Sequence, residues 1–169
     1  MIPIPEDHEY NSFYQTYVSK IDREDVLEFL KDQAVTLPAL LNANKDKADY
    51  RYDDGKWTVA EVLNHINDTE RVFSYRALAI ARGEQQSLPG MDQNEYVQGA
   101  NTSERSFEDL IHEFETIRAS TLSLLASLNA EQLNRQGIAS GFPITVRGLA
   151  GIIAGHATHH VQVLTEKYF

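Results

Sequence analysis

The chain has 169 residues, no cysteine and a formal net charge of -10, from fifteen basic and twenty-five acidic side chains. The lack of cysteine excludes disulfides, thiolate metal sites and a cysteine nucleophile, and the negative field repels phosphate backbones, which argues against nucleic acid as a partner. With 42% apolar and 24% charged residues, the composition is that of one folded domain, expected over residues 1–169.

No apolar run is long enough to span a bilayer. The N-terminal stretch Met1-Ile-Pro-Ile-Pro-Glu-Asp lacks the basic region and hydrophobic core of a signal peptide. A cytoplasmic protein with no membrane partner is expected, in keeping with the absence of disulfides.

Pro3 and Pro5 oppose a helix before Glu6. Tyr10, Phe13, Tyr14, Tyr17, Val18 and Ile21 then recur at three- and four-residue spacing, which predicts a short helix whose aromatics pack into the core. Asp22 is a candidate cap for a second helix carrying Val26, Phe29, Leu30, Ala34 and Leu37 on one face, with Pro38 as a kink or stop. Asn42 to Tyr52 reads as a solvated connection. Thr58-Val-Ala-Glu61 is a capping box with Trp57 as its staple, and it opens a long helix that Gly83 stops. The apolar stripe of that helix includes His65 among Val62, Ile66, Thr69, Val72, Phe73 and Ile80. Glu61, Asp68 and Arg76 fall within about 60° of His65 at ~100° per residue, near enough to approach its ring.

Gly83 to Ser103 has no sustained period and reads as a long loop, of a length that in a compact domain tends to be functional or to pack as a lid. Ser103 or Ser106 opens the next helix, with Phe107, Leu110, Ile111, Phe114, Ile117 and Leu124 along its face. His112, like His8, lies off any apolar face and reads as solvated. Asn129 to Pro143 is a second connection without alternation of period two, and Thr145 can cap a last helix that runs to the C-terminus. The fold expected is all-α: an antiparallel four-helix bundle with a short extra N-terminal helix and a long loop between the second and third bundle helices.

The last helix carries Gly155-His156-Ala157-Thr158-His159-His160, half of the chain's six histidines within five residues. Leu149, Ile153, His156, His160 and Val163 follow a 4-3-4-3 seam, so His156 and His160 face the core one turn apart, about 40° from each other. His159 lies ~60° to the other side and flanks the seam. Two imidazoles at i, i+4 can address one metal ion, and His65 is the third histidine on a core stripe. Hydrogen-bonded core histidines, or histidines at a dimer contact, account for the same spacing without a metal. A di-iron bundle would need Glu-x-x-His, which does not occur, and a zinc-protease helix would need glutamate where Ala157 stands. Gly-x-Ser-x-Gly is also absent.

Three blocks carry a wider resemblance: Tyr50 to Gly83, with Gly55-Lys56-Trp57-Thr58, Asn64-His65 and Asp68-Thr69-Glu70-Arg71-Val72-Phe73; Leu88-Pro89-Gly90-Met91-Asp92-Gln93; and Gly155 to His160. Together with the tyrosine-rich N-terminal segment they resemble the DinB-like superfamily, and within it the YfiT-like metal-dependent hydrolases. The resemblance implies a four-helix bundle, commonly a homodimer. It implies a metal triad of His65, His156 and His160 holding a divalent ion, nickel or zinc, and a small-molecule substrate. It also implies either hydrolysis or S-transfer of a low-molecular-weight thiol, as in bacillithiol transferases. Because the chain has no cysteine, such a thiol would be a soluble cofactor. A non-catalytic metal-binding or dimeric bundle module is the alternative. Glu61 or Asp68 is expected to orient His65, and the 83–103 loop to shape the pocket.

Overall fold

A computed structural model describes residues 1–169. The elements run α1 (Gln15–Val18), α2 (Val26–Ala43), α3 (Val59–Ala81), α4 (Gln93–Gly99), α5 (Phe107–Ala126), α6 (Ala130–Asn134), β1 (Gln136–Ala139), β2 (Phe142–Thr145) and α7 (Val146–Lys167). No helix is long and apolar enough to cross a membrane.

The helix starts follow local chemistry. Thr58 Oγ1 accepts from Glu61 N at 3.1 Å while Glu61 Oε2 accepts from Thr58 N at 2.7 Å, closing the capping box of α3. Ser106 caps α5 and Thr145 caps α7. The cap of α2 is Asp25, not Asp22. Asp25 Oδ1 accepts from Leu27 N at 3.0 Å and also from Ile2 N at 2.9 Å, so one carboxylate both starts the helix and ties down the N-terminus. Pro38 does not end α2, which continues to Ala43. Gly83, at φ +94°, ends α3 as expected.

The bundle consists of α2, α3, α5 and α7. Both α2 and α3 pack against α5 and α7, so the consecutive helices α2 and α3 stand diagonally. One core cluster joins Val26 and Leu30 of α2, Phe73 to Ala81 of α3, Leu125 of α5 and Val146 to Ala154 of α7. The other joins Leu37 and Leu41, Val59 to Ile66, Phe107 to Phe114, and Leu164. These pairings run α3 antiparallel to α7 and α2 antiparallel to α5, as expected for a four-helix bundle. They also align α3 with α5, and α2 with α7, in the same direction. Two neighbouring helices that run the same way need a crossover the length of the bundle, roughly 30 Å for helices of this size. That is the physical reason for the long connection between α3 and α5. It is not bare loop, because α4 forms within it, capped by Asp92.

The connection before α7 holds the other departure from expectation. There β1 and β2 pair antiparallel, Gln136 with Thr145 through Ala139 with Phe142. Ser140 (φ 53°) and Gly141 (φ 82°) form the two-residue turn, both in the left-handed region that such hairpins require. Four-residue strands containing Gly137 and Pro143 are too short to show alternation. Leu88 joins the hairpin edge, donating to Ile138 O at 2.8 Å and accepting from Ser140 N at 3.0 Å.

The N-terminal segment lies against α7 as a strap, and α7 receives it on glycines. A Cβ on Gly148 would lie 2.7 Å from the Glu9 carbonyl oxygen, one on Gly151 would lie 2.6 Å from Pro5 Cγ, and one on Gly155 would overlap the Tyr17 carbonyl. Glu9, buried, holds the strap in place. Its carboxylate accepts from Thr145 Oγ1 at 2.8 Å and from Arg147 Nε at 2.8–3.0 Å.

Two stability outcomes are expected, both read from urea denaturation midpoints. Gly155→Ala, which forces Tyr17 off α7, costs on the order of 3 kcal/mol. Glu70→Ala, which leaves the fully buried Arg118 unpaired, costs about 3–5 kcal/mol, and the double replacement Glu70→Leu with Arg118→Met costs distinctly less.

Candidate metal centre

His65 lies in the second turn of α3; His156 and His160 lie one turn apart on α7. Because the two helices run antiparallel and pack directly, the three rings meet. Nε2 of His156 is 3.0 Å from Nε2 of His65 and 3.1 Å from Nε2 of His160. His65 is 2% exposed and His156 5%, and His160 is partly buried. Trp57 stands 4.9 Å from the His65 ring, and Tyr17 meets the His156 ring edge-on at 5.3 Å, both between centroids.

Hydrogen bonding alone does not account for this cluster. A ring nitrogen presents one N–H or one lone pair, along one direction in its plane. Nε2 of His156 therefore cannot make two linear hydrogen bonds, yet it has two nitrogens at hydrogen-bond distance. Nitrogens that share an ion at about 2.0–2.1 Å lie roughly 2.9–3.4 Å apart for angles between octahedral and tetrahedral. The observed 3.0 and 3.1 Å fall in that range. The donor set, neutral imidazole throughout, suits zinc, nickel and similar ions.

Burial keeps the rings neutral. It pushes His65 down to about 4 and His160 down to about 3, and holds His156 well below the ordinary histidine value; proximity of the other histidines adds to the effect. His159 is half-buried beside Tyr17 and His160, and it stays outside the group of three whose ligand atoms lie within 4.8 Å of one another.

Neither carboxylate expected beside His65 is there. Glu61 is engaged in the cap of α3. Asp68 accepts from Asn64 Nδ2 at 2.8 Å and faces Arg71 at 3.6 Å, and burial raises its carboxyl above the usual range. The group that faces His65 Nδ1 is Thr69 Oγ1, at 3.4 Å. Thr69 follows His65 by one helical turn and shares its face, but a threonine on an apolar stripe gives no sign of such a role in the sequence.

A cavity of about 220 Å3 opens from His65 and His156 and runs along α3 to Arg76, walled by Phe13, Tyr14, Tyr17 and Phe73 and closed by Met91, Gln93 and Ser140. Of the N-terminal aromatics, Tyr10 is buried in the core, as are Val18 and Ile21, while Phe13 is 70% exposed. Tyr14 and Tyr17 face the cavity. They share the helical spacing of the core residues, so their role was not legible before the strap was placed. A second cavity, about 280 Å3, reaches the histidines at His159 and His160, beside Tyr52, Lys56, Trp57 and Asn94. No carboxylate lines either cavity.

A family model described as the DinB superfamily matches residues 28–164. Among solved structures, YfiT from Bacillus subtilis, reported as a probable metal-dependent hydrolase with an unusual four-helix bundle topology, superimposes with a TM-score of 0.70 at 18% identity, over 96% of this chain and 89% of that one. No curated protein matches the chain.

The depressed histidines set a pH dependence in the metal-free protein. The unfolded chain takes up protons near about 6.5, whereas the folded rings resist until about 4 and about 3. The stability they contribute is therefore complete above about pH 6.5 and is lost as the pH falls through that window. Urea midpoints measured from pH 8 down to pH 4 after chelation are expected to fall, with a shallower fall in His160→Gln.

Proposed function

Because the chain belongs to the DinB superfamily, we propose that it is a divalent-metal-dependent enzyme in which His65, His156 and His160 hold the ion, nickel or zinc, and a small molecule reacts in the adjoining cavity. The observation that carries the reading is the convergence of three neutral Nε2 atoms, two of them at 3.0 and 3.1 Å from the third. Three protein ligands leave positions open for a reactant, which is a catalytic rather than a structural arrangement. A divalent ion there supplies Lewis acidity that favours the deprotonated form of a water or a thiol.

The chain's own residues favour the thiol. Hydrolysis also has to carry a proton from the ionised water to the leaving group, and neither cavity offers a carboxylate for that transfer. A thiol, with an ordinary pKa near about 8.5, needs far less help. Two cavities reach the histidines, which suits a reaction between two molecules: a low-molecular-weight thiol in one and an electrophile in the other. The aromatic wall of Tyr14, Tyr17 and Phe73 keeps water from the nucleophile and gives the electrophile an apolar surface. Metal-dependent hydrolysis is the second reading, favoured by the structural likeness to YfiT and its reported character. A homodimer belongs to the same proposal. The groove between α2 and α7, with Phe29, Leu40 and Val161 on its walls, is a candidate contact face, and sedimentation tests it.

Tag-free protein is expected to contain one divalent ion per chain by elemental analysis, and His65→Gln or His160→Gln to lower metal affinity at least about tenfold. Saturating metal at about 100 times Kd raises wild-type stability by roughly 2.7 kcal/mol. Loaded protein given thiols with an epoxide or haloarene is expected to form the thioether, with the epoxide C–O bond opened to an alcohol or the halide released. Ester or amide hydrolysis without thiol turnover would establish the second reading, and metal content unchanged by both histidine replacements would exclude the triad.

A further inference from the structure

Every ionised side chain buried by this fold meets an opposite charge, with one exception. Glu70 binds Arg118 and Glu9 binds Arg147. Arg76 is 3% exposed and belongs to no ion pair. Its Nη2 donates to the Pro89 carbonyl at 2.7 Å and to the Ser140 hydroxyl at 3.2 Å, and its guanidinium lies 5.1 Å from the Phe73 ring centroid. None of these partners is an anion. A buried cation without a counter-charge is strongly unfavourable unless something supplies one.

Its position says where the missing charge would come from. Arg76 lines the same cavity as His65 and His156. It follows His65 by eleven residues, within about 20° of the same helix face and roughly 16 Å further along the axis. Helical side chains lean toward the N-terminus, so the guanidinium leans back toward the histidines. Between the two ends lie Thr69, Val72 and Phe73 of α3, faced by Tyr14 and Tyr17. The cavity is thus polar and cationic at one end, aromatic along its length, and bounded by imidazoles at the other end.

We propose that Arg76 binds the carboxylate of a small organic substrate whose apolar body lies along the Tyr14–Tyr17–Phe73 wall and whose reacting end reaches the three histidines. The reach to the histidines rests on the reading of that end as a metal centre; the anion site itself does not. Arginine suits the role because its planar fork can hold Pro89 and Ser140 with one amino group and offer its remaining N–H groups to a carboxylate. A clasp tying the 84–92 segment and the hairpin to α3 explains the two hydrogen bonds but leaves the charge unanswered, and a clasp gives no preference for anionic ligands.

The test is calorimetric titration of full-length protein, both as purified and after chelation, with phenylacetate, its neutral isostere phenylacetamide, and inorganic phosphate. In chelated wild type, phenylacetate is expected to bind at least about tenfold more tightly than the amide or phosphate. Arg76→Gln, which retains hydrogen-bonding capacity toward Pro89 and Ser140, is expected to weaken phenylacetate about ten- to a hundredfold and to leave the amide unchanged. Arg76→Lys, which retains the charge, is expected to fall between. No carboxylate preference in the wild type, or a preference that survives in Arg76→Gln, overturns the proposal, and phosphate binding as tightly as phenylacetate overturns the organic ligand. If Arg76→Gln fails to fold, the wild-type comparison and the lysine variant carry the test. Because the chelated arm does not involve the metal, and metal content is measured separately, failure here is distinguishable from failure of the metal reading.

Discussion

Arg118 lies at the centre of the bundle with no solvent exposure and connects all four bundle helices. Its Nε and Nη2 donate to the two carboxylate oxygens of Glu70 on α3, both at 2.8 Å, and its Nη1 donates to Leu30 O and Gln33 Oε1 on α2. Gln33 in turn donates to Ala154 O and Thr158 Oγ1 on α7. The Phe114 ring lies under the guanidinium. A buried pair of this kind adds little net stability over an apolar core, but it is intolerant of displacement. A slide of one helical turn, about 5.4 Å, would strand a full charge in the interior. The network therefore selects one register of α3 against α7, the register that sets His65 opposite His156.

That register places the histidines at a depth where burial keeps them neutral. The direction of the helices provides the rest of the site. With α3 and α5 running the same way, the chain between them has to return along the bundle, and Met91 and Gln93 of that crossover close one side of the cavity. The hairpin before α7 brings Ser140 to Arg76. The N-terminal strap, seated on the glycines of α7 and pinned by Glu9, supplies the aromatic wall. Three connecting segments thus build a cavity on a rigid helical frame, and the three histidines stay on the frame.

The helices were legible because their apolar faces and caps are local properties: Thr58 with Glu61, Ser106 and Thr145 all act as their positions imply. The three-histidine cluster was legible for a related reason, since helix angles alone separate His156 and His160 from His159. What could not be read was whatever depends on two distant segments meeting. Asp25 displaces Asp22 as a cap because Ile2 returns to it. Thr69, not Glu61 or Asp68, faces His65, because those carboxylates find partners elsewhere. The strands were hidden by their brevity, and the counter-charge relations of Arg76 and Arg118 are invisible until the interior is assembled.

The proposed chemistry requires that the three Nε2 atoms share one ion, with the remaining positions left to the reactant. X-ray absorption at the zinc or nickel edge, on tag-free protein, addresses that coordination shell directly. Three imidazole ligands, identified by their ring scattering, are expected at about 2.0–2.1 Å together with one or more light-atom donors. A shell of oxygen donors without imidazole scattering would contradict that coordination.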